Sequence, residues 1–173
     1  TKINAAMLAP TEKACKKQFE TSLKRTGAGY FDYYLLHALM ENNYKKYDKF
    51  HIWDFVAEQK EKGLIKHIGF SFHGTPELLD RILTEHPEVE TVQIQLNYLD
   101  YDFQDAKGKL ELLKKYDLPV WVMEPLRGGR LVNLLPEKAV KRFKAANREA
   151  VILKQNLIHP ITIHNWKGND AHC

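Results

Sequence analysis

Hydrophobic and polar positions follow two alternating patterns along the chain. Short runs of mostly apolar residues are separated by longer charged stretches, in which apolar residues recur every three to four positions. The first pattern is typical of buried β-strands and the second of amphipathic helices. The sequence therefore predicts five strands and a candidate sixth, at 1–4, 31–36, 66–70, 91–96 and 119–123, with 151–158 as the candidate.

The charged stretches between these strands carry the signals of helix ends. The predicted helices cover residues 12–25, 48–62, 76–85, 105–116 and 136–146. Thr11 stands before the first helix as a capping residue. Thr75 and Pro76 open the third helix as a cap followed by a first-turn proline. Gly63 follows the second helix, as a C-terminal glycine cap does.

The spacing of the predicted strands indicates the fold class. They begin at residues 1, 31, 66, 91 and 119, which is about one strand-plus-helix unit apart. They are apolar throughout, as strands of a parallel sheet covered on both faces are. We therefore predict an α/β fold of the (β/α)8 TIM-barrel type, incomplete, with five to six βα units. A doubly wound open sheet is the alternative, but no GxGxxG motif follows an early strand.

Composition narrows the functional class. The length of 173 residues suits one domain, and the net charge of +4 is spread over helical surfaces, so we expect no nucleic-acid partner. No apolar run approaches the roughly 20 residues that span a membrane. Cys15 and Cys173 stand alone, which suits a reducing cytoplasm. His159, His164 and His172 have no standard metal-ligand spacing, so we expect no metal site.

Polar side chains stand at the ends of five successive predicted strands. The carboxyl ends of parallel strands are where barrel proteins collect their chemistry. Each of these residues alone is common in a structural role, but their shared placement predicts a functional site at that rim. They are Lys2, His37, Ser71 with His73, Gln93 with Asn97, and Glu124.

Five segments give the chain a resemblance to a known family. They are TK at 1–2, DYYLLH at 32–37, KGLIKHIGFSFHG at 62–74, VQIQLNYLD at 92–100 and VMEPLRGGRL at 122–131. In this order and spacing they resemble the aldo-keto reductase superfamily, and more narrowly its bacterial predicted-oxidoreductase branch. The resemblance covers about strands three to seven of that barrel. It implies a partial aldo-keto reductase barrel at 1–147 and a divergent C-terminal tail at 148–173.

The resemblance implies an oxidoreductase that moves hydride between NADP(H) and an aldehyde or ketone. Lys2 and His37 match the catalytic lysine and histidine of the family. Ser71 and Gln93 match residues that hold the nicotinamide carboxamide, although Phe72 replaces an asparagine common after the serine. Met123 matches a position beside the nicotinamide ring, where it replaces a tyrosine. Leu126 and Gly128 match the segment that passes near the pyrophosphate.

The resemblance also implies that part of the catalytic tetrad is missing. The family's tyrosine and aspartate precede the lysine, and this chain starts at the lysine. Neither Asp32 nor a nearby tyrosine occupies a matching position, so we expect a fragment and leave activity of the chain alone open. The alternative is a non-catalytic partial barrel that binds nucleotide weakly or self-associates through its open edges. The segment 41–51 is interpreted as a solvated lysine-rich loop, with an anion site beside the substrate as the alternative.

Overall fold

A computed structural model describes residues 1–5, 10–97, 99–133, 136–138 and 140–141 of the chain. Most of the helix predicted at 136–146 lies outside these residues. The candidate strand at 151–158, the tail at 148–173 and the histidines of that tail lie wholly outside them. Within the described part, no helix is long and apolar enough to cross a membrane.

The strands form one parallel sheet whose spatial order equals their order in the sequence. Parallel neighbours joined by helical crossovers are the repeating unit of a (β/α)8 barrel. The sheet therefore confirms the predicted fold class, an incomplete barrel of the TIM type. The strands are β1 (Lys2–Ile3), β2 (Phe31–Leu39), β3 (Ile65–Phe72), β4 (Thr91–Gln95) and β5 (Val120–Met123).

Helices connect the strands, and their ends follow the local signals in the sequence. The side chains of Thr11 and Thr75 accept hydrogen bonds from the backbone N–H groups of Ala14 and Leu78, so both predicted caps are confirmed. The helices are α1 (Glu12–Thr26), α2 (Tyr44–Lys49), α3 (Ile52–Glu61), α4 (Pro76–Glu85), α5 (Asp100–Phe103), α6 (Ala106–Lys115) and α7 (Arg130–Asn133), with a 3-10 turn at Arg127–Gly129.

The two faces of the sheet have different surroundings. The face toward the helices is buried: Tyr34 has no exposed surface, and its ring centroid lies 5.1 Å from that of Phe19 in α1. Successive strand residues point to opposite faces, so Tyr33 lies on the other face. There its ring lies 4.7 Å from those of His67 and Trp121, and the residue is 36% exposed. The second face is thus the open interior of a partial barrel.

Several element boundaries differ from the predictions. Strand β2 runs three residues past its predicted end and β3 two residues past its end, so His37 and Ser71 lie inside strands. The predicted helix 48–62 is two helices, because His51 adopts a left-handed backbone with φ of 46°. The segment 41–51 is not a solvated loop: it contains α2, whose Tyr47 is fully buried. The short helix α5 was not predicted.

Candidate active site

Two of the predicted site residues meet at the carboxyl-end rim of the sheet. The ammonium group of Lys2 in β1 donates a hydrogen bond to Oε1 of Gln93 in β4, at 2.5 Å. These residues are far apart in the sequence, and strands β2 and β3 lie between theirs in the sheet, so the long lysine side chain reaches Gln93 past two strands. Both side chains are partly buried. Burial lowers the pKa of Lys2, because removing water disfavours the charged form of an amine.

His37 stands beside this pair with a defined arrangement of ring protons. Its Nδ1 lies 2.9 Å from Nδ2 of Asn4. An amide nitrogen can only donate a hydrogen bond, so Nδ1 is the acceptor and the ring proton is on Nε2. Burial, and next the charge of Lys2, lower the pKa of His37. The residue therefore presents a neutral imidazole with an Nε2–H donor.

The rim is rich in basic groups. His73 follows β3, and its pKa is lowered by partial burial of the ring and then by the charges of Lys109, His37 and Lys2. Lys109 in α6 is 5% exposed, and burial lowers its pKa as well. Burial is the main cause of each of these lowered pKa values, and neighbouring positive charges add to it only for His37 and His73. Such a surface favours an electron-rich or anionic ligand atom.

Ser71 is placed differently from the other predicted cofactor residues. It is 1% exposed, and its Oγ accepts a hydrogen bond from the backbone N–H of Ala38 at 2.7 Å. The serine is therefore packed against β2. Its hydroxyl group still carries a proton that it can donate to a second partner.

The remaining predicted cofactor residues lie at the end of β5 and in the open turn after it. Met123 is the last residue of β5, is partly buried, and pairs across the sheet with Gln95. Leu126 is 37% exposed. Gly128 has φ of 63°, and a Cβ atom added to it would meet no heavy atom within 4 Å. The turn therefore leaves its backbone accessible to a ligand that must approach closely.

A buried carboxylate joins this turn to β4 and was not predicted. Asp100 is fully buried, and its Oδ2 accepts hydrogen bonds from Gln95 at 2.8 Å and Asn97 at 2.5 Å. Its Oδ1 has no hydrogen bond to any described residue, but lies 3.4 Å from Nη2 of Arg127. Asn97 also donates to the carbonyl oxygen of Glu124 at 3.0 Å. These contacts fix the turn relative to the end of β4.

Two other residues of the site were missed at the sequence level. Asn4 could have been found, because it stands two positions after Lys2 and so shares a strand face with it. Tyr47 gave no local signal, although its hydroxyl donates to the carbonyl oxygen of His37 at 2.5 Å. Asp32, considered as a candidate acid, pairs with Lys66 at 2.8 Å near the opposite end of β2. Among the described residues no cluster of three metal-ligating side chains occurs.

One known protein family matches nearly the whole chain. The sequence model of the Aldo/keto reductase family matches residues 1–164, a range that includes part of the segment 148–173. The proposed division of the chain at residue 147 stays a prediction. A sequence comparison with curated proteins found no significant match.

Solved structures of aldo-keto reductases share the fold. The thermostable aldo-keto reductase Tm1743, solved with the inhibitor epalrestat, is 26% identical with a TM-score of 0.66, covering 87% of this chain and 52% of its own. An aldo/keto reductase from Brucella melitensis is 27% identical with a TM-score of 0.58, covering 83% of this chain and 52% of its own. An aldo/keto reductase from Klebsiella pneumoniae, solved with NADP and acetate, is 21% identical with a TM-score of 0.59, covering 87% of this chain and 51% of its own. The chain thus spans about half the length of these structures.

Proposed function

This chain belongs to the aldo/keto reductase family, and we propose that it carries the lysine, histidine and nicotinamide-binding side of an NADP(H)-dependent reductase. The reaction would move hydride between the cofactor and an aldehyde or ketone. The observation that carries the proposal is the meeting of Lys2 with Gln93 beside His37, whose Nε2–H is left as a donor. A polar, proton-donating group and a cation at one strand-end rim are what carbonyl reduction requires.

The chain's residues fit a nicotinamide cofactor. When bound, NADPH supplies the hydride. Gln93 and Ser71 would hold the carboxamide, since both carry hydrogen-bonding groups on neighbouring strands, paired in register. The thioether of Met123 would contact the ring. The open space at Gly128 would admit the pyrophosphate beside Leu126. The NADP found in the Klebsiella pneumoniae structure supports this choice of cofactor.

The catalytic residues would act on the carbonyl oxygen. His37 would donate a hydrogen bond from Nε2 and so orient the carbonyl group. It would also stabilise the negative charge that grows on the oxygen as hydride arrives. Lys2 would add its positive charge close by. The lowered pKa of His37 keeps the imidazole neutral at neutral pH, so it would act as a hydrogen-bond donor without gaining a proton first.

We further propose that the tetrad is incomplete within the chain. The ring of Tyr34 packs on Phe19 in the helix-side core, and Tyr33 stacks on His67 near the amino end of β2. Asp32 is paired with Lys66. Among the described residues no hydrogen bond joins Lys2 to any of these three side chains, so we propose that the proton donor comes from residues other than these.

NADPH consumption tests the proposal. The chain is mixed with NADPH and a panel of aldehydes, absorbance at 340 nm is followed, and NADPH binding is measured by calorimetry. We expect NADPH to bind, and we expect His37→Ala to abolish whatever consumption the chain supports. The matched control is His51→Ala, because the side chain of His51 is 64% exposed and it should leave the rate unchanged. A chain that neither binds nor consumes NADPH contradicts the proposal.

A second candidate is a non-catalytic partial barrel that binds nucleotide weakly or self-associates. The observation that favours it is the open face of the sheet, where Tyr33, His67 and Trp121 are partly exposed. Strands β1 and β5 form the two edges of the sheet, and unpaired edges promote association. Size-exclusion chromatography with light scattering separates the candidates. A dimer without NADPH consumption supports the second one, and a monomer that consumes NADPH supports the first.

A further inference from the structure

Strand β2 is irregular beside its functional histidine. Pairing with β3 stops at Leu36 and resumes at Leu39 after a shift of register, so His37 and Ala38 together face the single residue Ser71. Ala38 has φ of 54°, in the left-handed region that residues other than glycine rarely adopt. Bulges of this kind redirect a side chain and are common beside active sites. Such a backbone persists where its surroundings hold it in place.

Three side chains bind the backbone of this bulge. The hydroxyl of Tyr47 donates to the carbonyl oxygen of His37 at 2.5 Å. The Oγ of Ser71 accepts from the N–H of Ala38 at 2.7 Å. The Nδ2 of Asn43 donates to the carbonyl oxygen of Ala38 at 2.8 Å. Both polar atoms of the peptide bond after His37 are thus bound by side chains, at a point where strand pairing is interrupted. We call Asn43, Tyr47 and Ser71 the bulge clamp.

The bulge clamp is sheltered from water. Tyr47 is fully buried and Ser71 is 1% exposed, so a hydrogen bond lost here would leave a buried polar group unpaired. Asn43 is itself held, because its Oδ1 accepts from the N–H of Met40 at 3.0 Å. The turn between β2 and α2 is therefore folded back onto the bulge. The three hydrogen bonds of the bulge clamp all go to the backbone of His37 and Ala38.

We propose that Asn43, Tyr47 and Ser71 are positioning residues for His37, because by fixing the peptide group that follows it they direct the imidazole Nε2 toward the carbonyl oxygen of the substrate. The inference rests on the function proposed above for His37. Hydrogen bonds weaken steeply away from linear geometry, and a displacement of about 1 Å at a reacting group can cost about 100-fold in rate. Asn4 holds the other side of the ring at Nδ1.

The same clamp connects His37 with the cofactor side of the rim. Ser71 accepts from Ala38 and keeps a hydroxyl proton to donate. If that proton is given to a nicotinamide carboxamide, one residue would bind both the backbone N–H of Ala38, next to His37, and the bound cofactor. The serine would then set the position of the carbonyl-binding group relative to the hydride donor.

The test compares two tyrosines in the same chain. Tyr47 and Tyr34 are both fully buried, but the hydroxyl of Tyr34 has no hydrogen-bond partner among the described residues. In Tyr47→Phe we expect the NMR signals of the His37 ring to shift. We also expect hydrogen exchange of the Ala38 amide to accelerate about tenfold or more. Tyr34→Phe should leave both at their wild-type values. Identical His37 signals and Ala38 exchange in the two variants would overturn the proposal.

Further measurements keep the test decisive. Ser71→Ala removes the acceptor of the same peptide group and should move the same two probes. If neither variant folds, the wild type serves: a slowly exchanging Tyr47 hydroxyl proton is expected, and a rapidly exchanging one would overturn the clamp. None of these probes needs turnover. A chain that does not bind NADPH would therefore refute the proposed function but not the positioning of His37. In an active chain, Tyr47→Phe should lower kcat about tenfold with the Kd for NADPH unchanged, and an unchanged kcat contradicts positioning.

Discussion

Replacing Gly69 with alanine tests the packing of the two strands that carry the cofactor residues. Gly69 pairs in register with Thr91, two positions before Ser71 pairs with Gln93. A Cβ atom on Gly69 would lie 2.4 Å from the backbone oxygen of Thr91, 2.6 Å from its Cγ2 and 2.8 Å from Cδ2 of Leu35. Carbon contacts are favourable only at about 3.5–4.0 Å. Strands β3 and β4 would therefore have to separate by about 1 Å.

The cost of that separation can be worked from the atoms involved. Overpacking a core typically costs about 1–3 kcal/mol, and here the nearest atom is backbone, which no rotamer change can move away. We expect Gly69→Ala to lower the free energy of unfolding by about 3 kcal/mol. With a urea slope near 2 kcal/mol/M, that lowers the unfolding midpoint by about 1.5 M. Tryptophan fluorescence during urea titration measures it.

Gly29→Ala is the matched control for this substitution. A Cβ atom at Gly29 would meet no heavy atom within 4 Å, and its φ is not in the left-handed region. We expect its free energy of unfolding to stay within about 0.5 kcal/mol of wild type, or to rise slightly as the unfolded chain loses freedom. If Gly69→Ala unfolds at the same urea concentration as Gly29→Ala, the close approach of β3 and β4 is wrong.

Two further predictions follow from buried or paired titratable groups. Burial raises the pKa of the Cys15 thiol to about 11, so in a Cys173→Ser variant iodoacetamide should label Cys15 only after unfolding. Mass spectrometry checks this, and full labelling of the native protein would contradict it. Burial alone would raise the pKa of Glu90, but hydrogen bonds from Lys60 and His67 outweigh burial and leave it lowered. A carboxyl group whose pKa is lowered in the folded state stabilises the fold at pH values above its ordinary pKa. That stabilisation is lost as the pH falls. The advantage of wild type over Glu90→Gln, about 1 kcal/mol near pH 7, should therefore vanish near pH 3; an equal difference at both pH values would refute the pairing.

Local features of the fold were predictable because they depend on nearby residues. The caps at Thr11 and Thr75 use groups three positions away. The apolar strands were recognisable because a parallel sheet buries at least one face of every strand. The break at His51 was not predictable, because a left-handed residue other than glycine has no composition signal.

The site was only partly predictable for a related reason. Strand ends at one rim could be recognised from the order of strands, so Lys2 and Gln93 were both candidates. Their direct contact depends on how the sheet curves, which no local pattern encodes. The bulge at His37 and Ala38 depends on Ser71, which is 33 residues away from Ala38 along the chain. The ion pair of Asp100 likewise needs Arg127, which follows a different strand.

The contact between His37 and a nicotinamide ring is the most direct test of the account. NADP⁺ is added to the isotopically labelled chain, and nuclear Overhauser effects are measured between the C4 proton of the nicotinamide and the ring protons of His37. The His37→Gln variant assigns the signals. We expect a cross-peak to His37 that saturates with the cofactor. Binding of NADP⁺ without any cross-peak to His37, or no binding at all, would contradict it.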